Sequence, residues 1–232
     1  MEFDLSPLWI SLKTASTATV VTIIVGIALA RWMVFGRDLG KGRGKDLVDV
    51  LVILPMVLPP TVVGFILLLI FGKNGLVGQL LYQLGTTIVF SWSATVITAT
   101  VVALPLMYRT TRGAFEQIDS SSIDAARVLG ASDWYIFFRI ILPLSLPGIG
   151  AGVILSFARA LGEFGATLML AGNIPGKTQT IPLAIFLAVE SGEMNKAFLW
   201  VGIVLFISIA AILALNYWTR IQNRFNNVNK GI

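Results

Sequence analysis

The sequence predicts an all-α integral membrane protein with five spanning helices, and three observations predict it. Of 232 residues, 56% are hydrophobic and only 12% are charged, whereas soluble domains carry about 25% charged residues. Four stretches are long, apolar and uncharged: 50–71, 88–108, 140–158 and 197–218. A fifth, 9–34, holds only Lys13 and Arg31, each near enough to an end to snorkel to the headgroups. About 20 apolar residues cross a bilayer core as a helix, the form that satisfies its own backbone in lipid. The whole chain, 1–232, reads as one membrane domain.

The first span, about 9–34, is expected to be retained. Residues 1–8 carry Glu2 and Asp4 and lack the basic start of a leader, and the apolar run is too long for one. A Gly- and Lys-rich turn, 36–45, follows. The second span, about 50–71, carries Pro55, Pro59 and Pro60 in its first half. Proline removes a backbone donor and clashes with the preceding turn, so a kink or break is expected there. Two readings stay open: a kink packed on a neighbouring helix, and a break at Pro59 and Pro60 facing a polar pathway. The connection 71–87 is glycine-rich. The third span, about 88–108, is enriched in Ser91, Ser93, Thr95, Thr98 and Thr100, which suit close helix packing or the lining of a pathway.

The fourth apolar region, 140–172, has no charge except Arg159 and Glu163. It exceeds one span, so its helix, set at about 140–163, is expected to tilt, break or run past the membrane. Residues 178–189, with Pro182, are too few to cross; they read as a re-entrant or interfacial segment and are the candidate for a sixth span. The last span, about 197–218, leads into a basic tail.

Charge sets the orientation. Arg31, Arg37, Lys41, Arg43, Lys45, Arg109, Arg112, Arg127, Arg139, Arg220, Arg224 and Lys230 fall on one side, against Lys13, Lys73, Lys177 and Lys196 on the other. Cytoplasmic loops carry the Lys/Arg excess. The N-terminus is thus expected outside and the C-terminus in the cytoplasm. The net charge of +5 is a topology signal, not a nucleic-acid patch. With no cysteine and no histidine, disulfides, thiol nucleophiles, His-based zinc sites and histidine triads are excluded. No catalytic residue and no metal site are expected.

The cytoplasmic loop 109–139 is the most informative segment. Ser121-Ser122-Ile123-Asp124 fits a capping box, with Ser121 as N-cap and Asp124 reaching back. Gly130 is placed to take the left-handed conformation that ends a helix. Ser132 or Asp133 can cap a second helix running from Trp134 towards Ile141, and Pro143 and Pro147 then disturb the chain as it enters the bilayer. Taken alone, this is an interfacial helix pair linking two spans.

The spacing says more. Asp124-Ala125-Ala126, three residues, Gly130, nine residues, then Ile140, one residue, Leu142 and Pro143 resembles the EAA motif of the membrane subunits of type I ABC importers, with Asp124 where Glu is usual. The resemblance implies that Asp124, Ala125, Ala126, Gly130, Ile140, Leu142 and Pro143 couple the chain to an ATPase. It also implies a second copy of the chain, two ATP-binding subunits and an extracytoplasmic substrate-binding protein, in a prokaryotic plasma membrane. ATP and Mg would bind the partner subunit, because this chain has no Walker A pattern; no cofactor and no nucleic acid are expected on the chain itself.

Two further segments, Leu54-Pro55-Met56-Val57-Leu58-Pro59-Pro60-Thr61-Val62-Val63-Gly64 and Phe157-Ala158-Arg159-Ala160-Leu161-Gly162-Glu163-Phe164-Gly165-Ala166-Thr167, resemble the oxyanion group of these permeases, with the molybdate permeases nearest in look. Tungstate and sulfate permeases are alternatives within the class, and a passive anion channel is the alternative outside it. Pro59, Pro60, Arg159, Glu163 and Thr167 are the candidate pathway or gate residues. Arg159 and Glu163, four apart, share a helix face and can pair; a gate-shaping pair and a fixed structural pair both remain open.

Overall fold

A computed structural model describes residues 4–36 and 43–229. Arg37, Lys41 and Lys230 of the charge count, and Glu2 ahead of the first span, lie outside the described residues. Eleven α-helices and one π-turn make up the described chain, with no strand among them.

The first helix, α1 (Ser6–Phe35), covers the first expected span, with Pro7 in its opening turn where a missing N–H costs nothing. The second expected span is not one helix. It is α2 (Arg43–Val57) and α3 (Pro60–Phe71), which meet at 120°. Pro55 sits inside α2 without ending it; the adjacent prolines do the breaking. Neither Pro59 nor Pro60 can donate, and each biases the residue before it out of helix. Pro59 is extended (φ −54°, ψ 137°), and Pro60 restarts the chain at a first-turn position.

A short helix, α4 (Leu76–Gln83), occupies the glycine-rich connection. The next, α5 (Trp92–Glu116), is capped by Ser91 and runs to Glu116, well past the expected end at 108. The start of the 109–139 loop is therefore helix. Then come α6 (Ser120–Val128), α7 (Asp133–Ile136), a π-turn (Phe137–Ile141) and α8 (Leu142–Leu161). The wider π-turn lies just ahead of Pro143 and absorbs the missing donor, so 133–161 continues as one helical rod instead of stopping. The long apolar region does break, at Gly162–Phe164, before α9 (Gly165–Ala171). The expected segment 178–189 holds α10 (Ile181–Glu190), which starts three residues later, has ten residues and is too short to cross alone. The chain closes with α11 (Met194–Asn229).

By length and composition, three described helices can cross a membrane: α1, the 133–161 rod and α11 to Trp218, or four with the bent α2–α3 pair taken as one. Five were expected. The remaining one, α5, has 25 residues and is long enough, but its threonines, Tyr108 and Arg109 leave it less apolar than the others.

Helices α1, α5 and α8 pack against one another through small residues, Ala15, Ala18, Ala99, Ala103 and Ala160, which let backbones approach closely. Helix α3 lies on α9, with Val63, Leu67, Ala166 and Leu170 between them and Ala94 and Val102 of α5 behind. The approach is tight: a Cβ on Gly64 would stand 2.7 Å from the Cα of Ala166. Helix α11 covers α8 and α10. At one end of the bundle a second core joins Ala30, Tyr108, Phe115, Ile123, Ile136 and Phe137, tying α6 and α7 to α1 and α5.

Candidate functional site

Helix α6 is short, and it is held at both ends. Its N-cap is Asp119, not Ser121. One carboxylate oxygen of Asp119 accepts from the Ser121 N–H at 3.0 Å and the other from the Ser121 hydroxyl at 2.6 Å. With its hydroxyl engaged there, Ser121 is not the cap. Asp124 then falls in the second turn and does not reach back; it pairs with Arg127 at 3.5 Å. The two hydrogen bonds hold the Asp119 carboxyl below the usual carboxylate value of 3.8, the hydroxyl bond contributing most.

The C-terminal end follows the expectation. Gly130 has φ +83°, its N–H donates to the Arg127 carbonyl (2.9 Å), and the Ala131 N–H donates to the Ala126 carbonyl (3.0 Å). These two bonds form a Schellman motif, which requires a left-handed residue at that point. Ser132, not Asp133, caps α7 by accepting from the Tyr135 N–H at 3.3 Å.

Ile123 is buried in the bundle core and Ala126 packs against it, so α6 has one anchored face. Opposite it, Asp124 and Ala125 are exposed, and Val128 and Leu129 are each 87% exposed. An uncovered apolar pair at the end of a twice-capped helix is suited to a partner surface. Sequence reasoning passed over this pair; the signal available was its placement directly before Gly130. Ile140, Leu142 and Pro143 do not sit beside α6. They lie at the join between the π-turn and α8, where Ile140 and Leu142 pack on the same core that holds Ile123. Ile140 and Leu142 are thus packed inward, whereas Pro143 is exposed.

The pathway candidates gather elsewhere, where the broken helices meet. A Cβ on Gly165 would stand 3.1 Å from the Pro60 Cβ, so the α2–α3 break abuts the start of α9. Glu163 is 2% exposed. Its Oε2 accepts from the Arg159 guanidinium at 2.9 Å, and its Oε1 accepts from the Ala166 N–H at 2.8 Å, capping α9. Thr167, on α9, shares a hydrogen bond of 3.0 Å with Thr98 of α5. Thr95 likewise meets Thr14 of α1 at 2.9 Å. These hydroxyls act as helix-to-helix ties, and both oxygens of Glu163 are committed to structure.

One further polar cluster lies at the α2–α5 contact. Tyr108, fully buried, donates to Asp49 at 2.6 Å, and Arg112 joins Asp49 to Glu116. The Arg112–Glu116 spacing is legible on a helix, but Asp49 is 63 residues from Arg112, and no local pattern connects them. Among the described residues no group of three or more acidic side chains is placed to hold a metal.

Comparison with known proteins agrees with this architecture. The family model described as "Binding-protein-dependent transport system inner membrane component" matches residues 22–225. The molybdenum transport system permease protein ModB of Haemophilus influenzae is 40% identical over 97% of this chain and 98% of its own length. ModB of Escherichia coli K12 is 42% identical over 92% of each chain. Among solved structures, the MetNI methionine ABC transporter in an inward-facing conformation matches with a TM-score of 0.69 at 16% identity, covering 92% of this chain and 93% of that one; this likeness speaks to the fold. The architecture, the family match and the relatives together place the chain in the family of binding-protein-dependent transport system inner membrane components, the permease subunits of ABC importers.

Proposed function

We propose that this chain is the membrane subunit of an ATP-driven importer of molybdate. The observation that carries the substrate is its match, over nearly the full length, to permeases named for molybdenum transport. In this reading two copies line the pathway, two ATPase subunits bind ATP and Mg on the cytoplasmic side, and an exported binding protein delivers the anion. The loop 109–139 docks on the ATPase. Its outward surface would be Asp124, Ala125, Val128, Leu129 and Gly130, with Ile140 and Leu142 as the brace behind and Pro143 exposed where α8 begins. Nucleotide-driven closure of the ATPases would move α6, and the core around Ile123 would pass that movement to α1, α5 and α8.

Gly130 supports this role because a Cβ there meets nothing within 4 Å. Bulk at this position projects outward, onto the surface a partner would use. An arginine at φ +83° also strains the turn, so Gly130→Arg is measured beside Val128→Arg, which leaves the backbone alone; on a folded chain in the membrane each should abolish recovery of an ATPase with the tagged chain and reduce molybdate uptake to background. Normal uptake and normal ATPase recovery by either variant would overturn the docking assignment. Competition by tungstate and sulfate in the same uptake assay ranks the oxyanions; uptake independent of ATP would favour the passive channel.

A further inference from the structure

Between the last turns of α1, the anchored face of α6 and the start of α7 lies a cleft of about 330 Å³ that the transport reading does not use. Its floor is apolar, with Trp32, Phe35 and Phe137, and its charged lining is Arg31, Arg127 and Asp133. Arg127 is already matched, to Asp133 at 3.4 Å and to Asp124 at 3.5 Å. Arg31 is not. Its guanidinium lies 3.9 Å from the ring centre of Trp134 and 4.6 Å from that of Phe137, and it meets no carboxylate or hydrogen-bond acceptor among the described residues. Stacking fixes the plane of the guanidinium and leaves its N–H edge without an acceptor. A planar fork of donors held in this way suits a phosphate oxygen pair.

The position in the membrane identifies the source of that phosphate. At 30 residues, α1 is about 45 Å long against a hydrocarbon core of about 30 Å. Arg31, four residues from its end, therefore falls at headgroup depth. Trp32, Trp134 and Tyr135 are exposed around it, as aromatic rings are at a lipid–water boundary. The cleft also lies on the Ile123–Arg127 side of α6, and neither Val128 nor Leu129 lines it.

We propose that this cleft binds the phosphodiester of an anionic phospholipid, with Arg31 as the contact and the apolar floor taking the start of the acyl chains. Basic pockets at the ends of membrane helices take such headgroups. Among the described residues of the lining one positive charge is uncompensated, which matches the single negative charge of a phosphodiester; a dianion would also face Asp133. A lipid seated there bridges α1 to α6 and α7, and so holds the loop in place. The inference rests on the chain being a membrane protein, not on the docking or substrate reading.

The test places the full-length chain in nanodiscs of phosphatidylcholine alone or mixed with phosphatidylglycerol, reading thermal unfolding and the lipid retained in native mass spectra. Phosphatidylglycerol should be retained preferentially and should raise the unfolding temperature. Arg31→Gln should weaken that retention roughly tenfold, the effect of losing one charge-assisted hydrogen bond. Because Arg31→Gln also removes a stacked cation, Arg31→Lys is measured beside it. Lysine keeps the charge over the rings but lacks the fork, and it should show a reduced preference on a folded chain. An unchanged lipid preference in folded Arg31→Lys or Arg31→Gln would overturn the site, as would equal retention of the two lipids by the wild type. If inorganic phosphate in phosphatidylcholine discs reproduces the thermal gain, the ligand is a free anion and the lipid assignment fails.

Discussion

Glu163, a gate candidate in the sequence, is tied into the fold through both of its oxygens. An ionisable side chain at membrane depth is costly and marks a site by default. Here one oxygen holds Arg159 and the other caps α9, so the carboxylate holds together the break after α8. Glu163→Ala removes both and leaves Arg159 without its partner; the expected loss is about 3 kcal/mol, the low end for a buried pair because the Arg159 side chain keeps about a third of its surface exposed. Glu163→Gln keeps an acceptor for the Ala166 N–H and should lose about half as much. Thermal unfolding of the purified chain separates the two. Swapping the pair, Arg159→Glu with Glu163→Arg, restores attraction but points donors at the Ala166 N–H, so the cap is lost and incomplete recovery is expected even for a purely structural pair.

At the scale of one element, α6 is marginal by itself, since nine residues do not make a stable helix in water. It depends on the Asp119 cap, the Schellman turn at Gly130 and the anchor at Ile123. The cap brings a pH dependence of known sign. Folding lowers the Asp119 carboxyl from its usual 3.8, so its contribution is fully present above that value and is lost as pH falls through the lowered one. The protection factor of the amides at the start of α6, the intrinsic rate at each pH divided by the observed one, should be steady near neutrality and should fall in strong acid. Asp119→Asn, which still accepts from the Ser121 N–H, should flatten that dependence; Asp119→Ala should raise exchange at every pH. The same logic of caps and breakers accounts for what the sequence misplaced. Ser121 and Asp124 match the capping-box spacing, but spacing does not say which of two nearby acceptors, Asp119 or Ser121, meets the N–H. The prolines marked a disturbance at 59–60 without revealing that the chain turns by 120°, because that angle is set by α3 lying against α9.

For the whole molecule, the absence of cysteine makes orientation directly measurable, since a single introduced thiol has no background. With the N-terminus outside and the 109–139 loop inside, a cysteine at Asp4 should react with an impermeant maleimide on intact spheroplasts, and one at Ala125 only after the membrane is opened. The reverse pattern would overturn the orientation read from the Lys/Arg asymmetry. What the sequence determined by itself is whatever follows from local composition and spacing: an all-helical membrane chain, the position of the loop before Gly130, the left-handed glycine, and the kinship carried by residues 54–64, 124–143 and 157–167. Features that depend on residues far apart in the chain meeting in space were not legible there. The bend of α2 on α3, the hydroxyl ties Thr14–Thr95 and Thr98–Thr167, the Asp49–Arg112 pair and the stacking of Arg31 on Trp134 are all of this kind. Helix period and caps are properties of neighbouring residues, whereas the partner of a buried polar group is chosen by which helix faces pack together, and that choice is made by the assembled bundle.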